Sequence, residues 1–146
     1  MNKIINGVAG YLKDHKINFK TDDKNEDVIW FVAKLPNGSA DLMFFISYNE
    51  DESSFIMLIN RIARFREVRT ELTRLMNSYN ADPETYNSKM YIDSQGDIVV
   101  SCCATIKSGS VLEQIVDYID ICVESIQKYY PEIVKVIEDS AQPAQN

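Results

Sequence analysis

Histidine is almost missing from this sequence. His15 is the whole supply, so a nucleophile-and-base pair that relies on imidazole has one candidate base. Cys102 or Cys103 is the nucleophile that could join it, but neighbouring strand residues point to opposite faces, so at most one of these thiols can turn toward His15. Together with Cys122 the cysteines are odd in number, and they have neither the spacing of a disulfide framework nor that of a zinc site. They suit a reducing compartment, and the cytoplasm is the expected location.

Glycine and proline are scarce too, five and four residues, which excludes a low-complexity or collagen-like chain. Neither GxGxxG nor GxxxxGK occurs, so nucleotide chemistry has no phosphate cradle. The carboxylate runs Asp22-Asp23, Glu26-Asp27 and Glu50-Asp51-Glu52 lack the spacing of a calcium loop and read as solvated loops. No cofactor or metal is expected, and no catalytic residue is assigned. No window approaches the roughly eighteen apolar residues of a membrane span, and Met1 to Gly7 lacks the pattern of a secretory signal. Neither secretion nor membrane insertion is expected.

Positive charge is in deficit. Fifteen Lys and Arg stand against 22 Asp and Glu, a net charge of −7, which opposes approach to a phosphate backbone. The one basic stretch, Arg61, Arg64, Arg66, Arg69 and Arg74 with Glu67 and Glu71 interleaved, reads as a solvated face pairing with the acidic loops. A nucleic-acid partner is not expected.

Apolar residues are well supplied at 45%, and their spacing lays out the elements. Ile4, Ile5, Val8, Tyr11 and Leu12 form the stripe of a short amphipathic helix. Residues 15–20 and 27–34 read as strands, Pro36 to Ser39 as a turn, and 41–48 and 54–60 as two further strands. Over residues 67–79 the period changes to a helical one, with Val68, Leu72, Leu75, Met76 and Tyr79 on one face, and the segment from Asn80 to Pro83 stops it. Residues 89–93 and 97–104 form a hairpin about Gly96, expected in the left-handed region. Ser110 and Glu113 are spaced as a capping box for a long terminal helix. That helix is expected to kink or break near Pro131. The fold class is α+β: an antiparallel sheet of about five to six strands with an N-terminal, a central and a long C-terminal helix. Residues 1–139 read as one domain and 140–146 as a flexible tail.

A sheet with one wet face alternates apolar and polar residues, and the first strands here do not. Both alternating sets are apolar in residues 28–33 and 42–46, and 55–59 is an unbroken apolar run. Either helices cover both faces or another chain closes one. Phe31, Met43, Phe45, Phe55 and Met57 are the candidate contact residues, with core packing as the competing reading.

Three stretches carry a family resemblance: the helix end from Leu75 to Asn80 with Asn77, the hairpin from Lys89 to Val100 with Tyr91, Asp93 and Gly96, and the helix from Ser110. Over residues 72–130 the chain resembles the YbjN-type family of bacterial sensory transduction regulators, whose fold looks like that of type III secretion chaperones. The resemblance implies binding more than a reaction, since it brings no catalytic motif. Read without the family, Asn77 and Asn80 are helix-end caps, and Tyr91 packs its ring in the core with its hydroxyl at the edge. The expected function is a noncatalytic protein-binding module, a chaperone-like or regulatory partner in a bacterial cell and a homodimer, with the other protein partner unidentified. The alternative is a small ligand-binding domain or enzyme with a pocket between the sheet and the C-terminal helix, near Cys102 or Cys103.

Overall fold

Asn2 opens the first helix. Its Oδ1 accepts from the Ile5 N–H at 2.8 Å, satisfying a backbone donor that has no partner inside a helix, while its Nδ2 donates to Asp27 Oδ1 and the Tyr48 carbonyl. One side chain thus starts α1 (Lys3–Asp14) and ties it to the sheet. The computed structural model describes residues 2–64 and 70–141. Within them follow β1 (Phe19–Thr21), β2 (Val28–Lys34), β3 (Asp41–Asn49), β4 (Ser54–Arg64), α2 (Thr70–Ala81), a 3-10 turn (Pro83–Thr85), β5 (Ser88–Ile92), β6 (Asp97–Thr105) and α3 (Val111–Ala141).

The six strands form one antiparallel sheet in the order β1-β2-β3-β4-β6-β5. The fold is α+β, with an N-terminal, a central and a long C-terminal helix as the periodicity predicts. All three helices pack on one face: α1 against β2 and β3, α3 against β4 and β6, and α2 against β5. Beneath them runs the register Phe19, Phe31, Phe44, Ile59, Val100, Met90, one residue per strand. All but Phe19 are buried, and Phe31 and Phe44 stack with centroids 4.9 Å apart. Ile5, Val8, Leu12, Leu72, Ile115, Ile126 and Ile133 close this core from the helix side. Gly7 lies where α1 meets α3: a β-carbon there would come within 2.7 Å of Leu112.

Several expectations change at this level. The stripe of α3 carries past Pro131, and Ile133 is fully buried. The expected break is absent, and the helix is continuous through Ala141. Ile133, with Val136 and Ile137 packed partly buried against the core, holds a helix that loses one ladder bond. Ser140 and Ala141 therefore belong to α3, and residues 142–146 of the expected tail lie outside the described residues. So do Arg66, Glu67, Val68 and Arg69. Asn77 and Asn80 are not terminal caps. Both lie inside α2, and Asn80 reaches across to β5, donating to the Met90 carbonyl at 3.0 Å and accepting from the Met90 N–H at 2.8 Å. Tyr91 is 41% exposed on edge strand β5, whereas Tyr48 and Tyr79 are in the core, Tyr79 bonded to Ser88. Gly96 has φ +83°, as the hairpin requires. Ser110 Oγ accepts from the Glu113 N–H at 3.3 Å at the start of α3.

Candidate functional site

With every described helix on one side, no described helix covers the other face of the sheet, although Val99 of β6 is buried on it. Its central register runs Lys20, Trp30, Phe45, Leu58, Ser101, Lys89. Three adjacent strands thus place large apolar side chains in one line. Trp30 and Phe45 stack at 6.2 Å. A parallel row sets Val32 beside Met43 and ends at Asn60, and another sets Val28 beside Ser47, Ile56 and Cys103. Ile56 is 57% exposed, Val32 47% and Met43 38%. An open face would ordinarily be polar. Here the largest apolar side chains stand together on β2, β3 and β4, as Trp30, Val32, Met43, Phe45, Ile56 and Leu58.

The five candidate contact residues divide across the sheet. Met43 and Phe45 lie on the open face. Phe31, Phe55 and Met57 face the other way and are buried under the helices, although Phe31 also lines the groove at the β1–β2 end. The reason is parity, because alternate residues of a strand face opposite ways, and in strands with both sets apolar the pattern leaves the helix-facing set undecided. Trp30, Val32, Ile56 and Leu58 complete the open patch and were missed. Fixing the register of β2, β3 and β4 around Met43 and Phe45 would have found them.

At the β1–β2 end the patch runs into a groove of about 770 Å³, lined by Trp30, Val32, Met43 and Phe45 and bordered by Lys16, Lys20 and Lys34. Among the described residues no carboxylate lines it. Asp41 stands opposite Lys34 in register, yet among the described residues none of the three lysines is in an ion pair. β1 pairs with β2 only as far as Phe19 and Phe31, which leaves residues 32–34 of β2 without a strand neighbour on that side among the described residues. Lys16 holds φ +58° at the end of α1, where the Ile17 N–H bonds back to the Leu12 carbonyl. This left-handed position is one that glycine usually fills.

The groups considered for catalysis are dispersed. His15 caps the end of α1 on the helix side, its Nδ1 2.9 Å from the Tyr11 carbonyl, whereas Cys103 is exposed on the opposite, open face. Cys102 is buried facing Cys122, and its hydrogen bond with that thiol, reinforced by burial, pushes its pKa up and keeps it protonated. The space between the sheet and α3, the expected pocket of the alternative reading, is filled by Ile115, Ile119, Cys122 and Ile126. Among the described residues no group of three or more His, Cys, Asp or Glu is placed to hold a metal ion, and no helix is long and apolar enough to cross a membrane. Of the basic stretch, Arg66 and Arg69 lie outside the described residues. Arg64 Nε donates to Asp97 Oδ1 at 2.7 Å, Arg61 sits in a bulge of β4 with φ +55°, and Arg74 is on α2.

These features define a class: an α+β domain roofed by helices on one side of its sheet and presenting an apolar surface on the other. The chain belongs to the YbjN family, whose model, described as "Putative bacterial sensory transduction regulator", matches residues 5–135. The match takes in most of α1 and all six strands, well beyond residues 72–130. Among curated proteins no sequence matches the chain.

Proposed function

We propose that this chain is a noncatalytic protein-binding module, a chaperone-like or regulatory partner in the bacterial cytoplasm, and that the open sheet face is its docking surface. The observation that carries the reading is the apolar line Trp30, Phe45, Leu58 across three strands with no described helix over it. Burying such a surface against another protein removes apolar area from water, the main favourable contribution to association. The regulatory description of the family is consistent with this role. Homodimerisation is part of the proposal, through the Leu58 and Ile56 side of the same face, away from the β1–β2 end.

The test compares the wild-type chain with Phe45→Glu and Ile56→Glu. Light scattering over a dilution series follows self-association, and pull-down from native lysate with mass spectrometry follows other partners. The expected result is that wild type dimerises or retains a specific protein, and that both variants lose it while far-UV circular dichroism is unchanged. A monomer at every concentration, whose co-purifying proteins are the same with and without the substitutions, overturns the proposal.

A further inference from the structure

The groove at the β1–β2 end adds to the apolar face what the rest of that face lacks, a concentration of one charge. In a chain with net charge −7, Lys16, Lys20 and Lys34 border Trp30, Val32, Met43 and Phe45, and among the described residues no acid lines the same space. We infer that this groove takes an extended, acidic segment of a partner protein, with large apolar side chains of the segment on Trp30 and Phe45 and its carboxylates on the three lysines. The inference rests on the docking role proposed above and specifies its occupant.

Four observations select this occupant. Charge complementarity requires an anionic partner, because carboxylates placed beside cations with no ion pair of their own gain attraction without breaking an existing contact. A volume of about 770 Å³ accommodates a few side chains. The unpaired stretch 32–34 of β2 offers backbone to a chain-like occupant rather than to an isolated small acid. Lys16 keeps a left-handed φ that glycine would adopt more easily, so a long cation stands at the rim despite its conformational cost. A second copy meeting this groove about a two-fold axis through it would set two identical lysine rims against each other. An anionic membrane is a poorer fit, since the apolar groups line a recess and the chain as a whole is repelled by negative lipid headgroups.

Trp30 is the only tryptophan in the sequence and lines the groove, so its emission reads occupancy directly. The full chain is titrated with a tryptophan-free dodecapeptide alternating Glu or Asp with Leu or Phe, with the same peptide carrying Lys for each acid, and with phosphatidylglycerol vesicles. The acidic peptide is expected to shift Trp30 emission saturably, to weaken as salt rises, and to bind about tenfold more tightly than the basic one. The double variant Lys20→Glu, Lys34→Glu should bind it about tenfold more weakly. Lys16→Gly should weaken binding while leaving the thermal midpoint unchanged or raised, a combination that a purely structural role for Lys16 does not produce.

Equal binding of the two peptides, unchanged affinity in the double variant, no Trp30 response, or a response to vesicles alone overturns the inference. If both peptides bind equally and Phe45→Glu weakens both, the face still docks proteins and only the acidic occupant falls. If the emission responds to dilution of the chain by itself, a second copy is the occupant. If Phe45→Glu leaves both peptide binding and native partners untouched, the docking role falls as well.

Discussion

Phe44 and Phe45 are neighbours on β3 with opposite surroundings. Phe44 is fully buried, stacked on Phe31 beneath the helices, while Phe45 is half-buried and stacked on Trp30 on the bare side. Residue type is the same and strand geometry is the same, so helix cover alone separates them. Apolar character therefore has two meanings in this sheet: on one face it is cohesion within the chain, and on the other it is surface left unsatisfied. Substitutions distinguish the two, because loss of a buried ring costs transfer free energy plus a cavity, whereas loss of a half-exposed one costs far less.

The largest effect is expected at Phe44. Phe44→Ala should lower unfolding stability by about 3–5 kcal/mol in a urea titration. A cost below about 1 kcal/mol would mean that the helices do not close this face. Next is Asn80→Ala. It removes both hydrogen bonds that fasten α2 to Met90, with an expected loss of about 1–3 kcal/mol. Asn80→Asp should recover only part of it, since a carboxylate can accept from the Met90 N–H but cannot donate to the Met90 carbonyl.

A smaller, pH-dependent effect tests how α2 is held to α3. The Asp82 carboxylate, just after α2, accepts from Lys128 Nζ at 2.7 Å and from the Tyr129 hydroxyl at 2.9 Å. The Lys128 bond first, then the Glu84 backbone N–H and the Tyr129 hydroxyl, lower its pKa to about 2. A carboxyl held below its unfolded value of about 3.9 stabilises the fold fully above that value and loses the contribution as pH falls through the folded one. The urea midpoint of wild type should therefore drop between about pH 4 and pH 2 more steeply than that of Asp82→Asn. Parallel curves would show that this link contributes nothing.

The elements were legible because their periods are distinct. Leu72, Leu75, Met76 and Tyr79 can share a face only in a helix, and Gly96 between two branched runs can only turn. The helix-facing set of β2, β3 and β4 was not legible, since Ile29 and Phe31 alternate with Trp30 and Val32, and either set would make a core. Met43 and Phe45 fell on the open side, and Phe31, Phe55 and Met57 on the closed one, for that reason. Asn80 was hidden differently: a residue near a helix end suggests a local cap, and only the tertiary path of β5 brings the Met90 backbone to its amide. The lysine-bordered groove was hidden in the same way, as Lys16, Lys20 and Lys34 are spread along the chain and become neighbours when β1 folds beside β2.

The smallest effect is expected at Ile56, and it makes the sharpest contrast with Phe44. At 57% exposure its side chain is the most open of the aliphatic groups on the bare face. Thr keeps the β-branch that suits a strand and replaces apolar surface with a hydroxyl that water can reach. Ile56→Thr should shift the urea midpoint by no more than about 0.5 kcal/mol of stability, while weakening any association that uses this face. Both readings come from one sample, stability from the urea curve and association from light scattering. A loss above about 1 kcal/mol in dilute, monomeric protein would place Ile56 in an intramolecular core, and the difference between the two faces of the sheet would then be one of degree rather than of role.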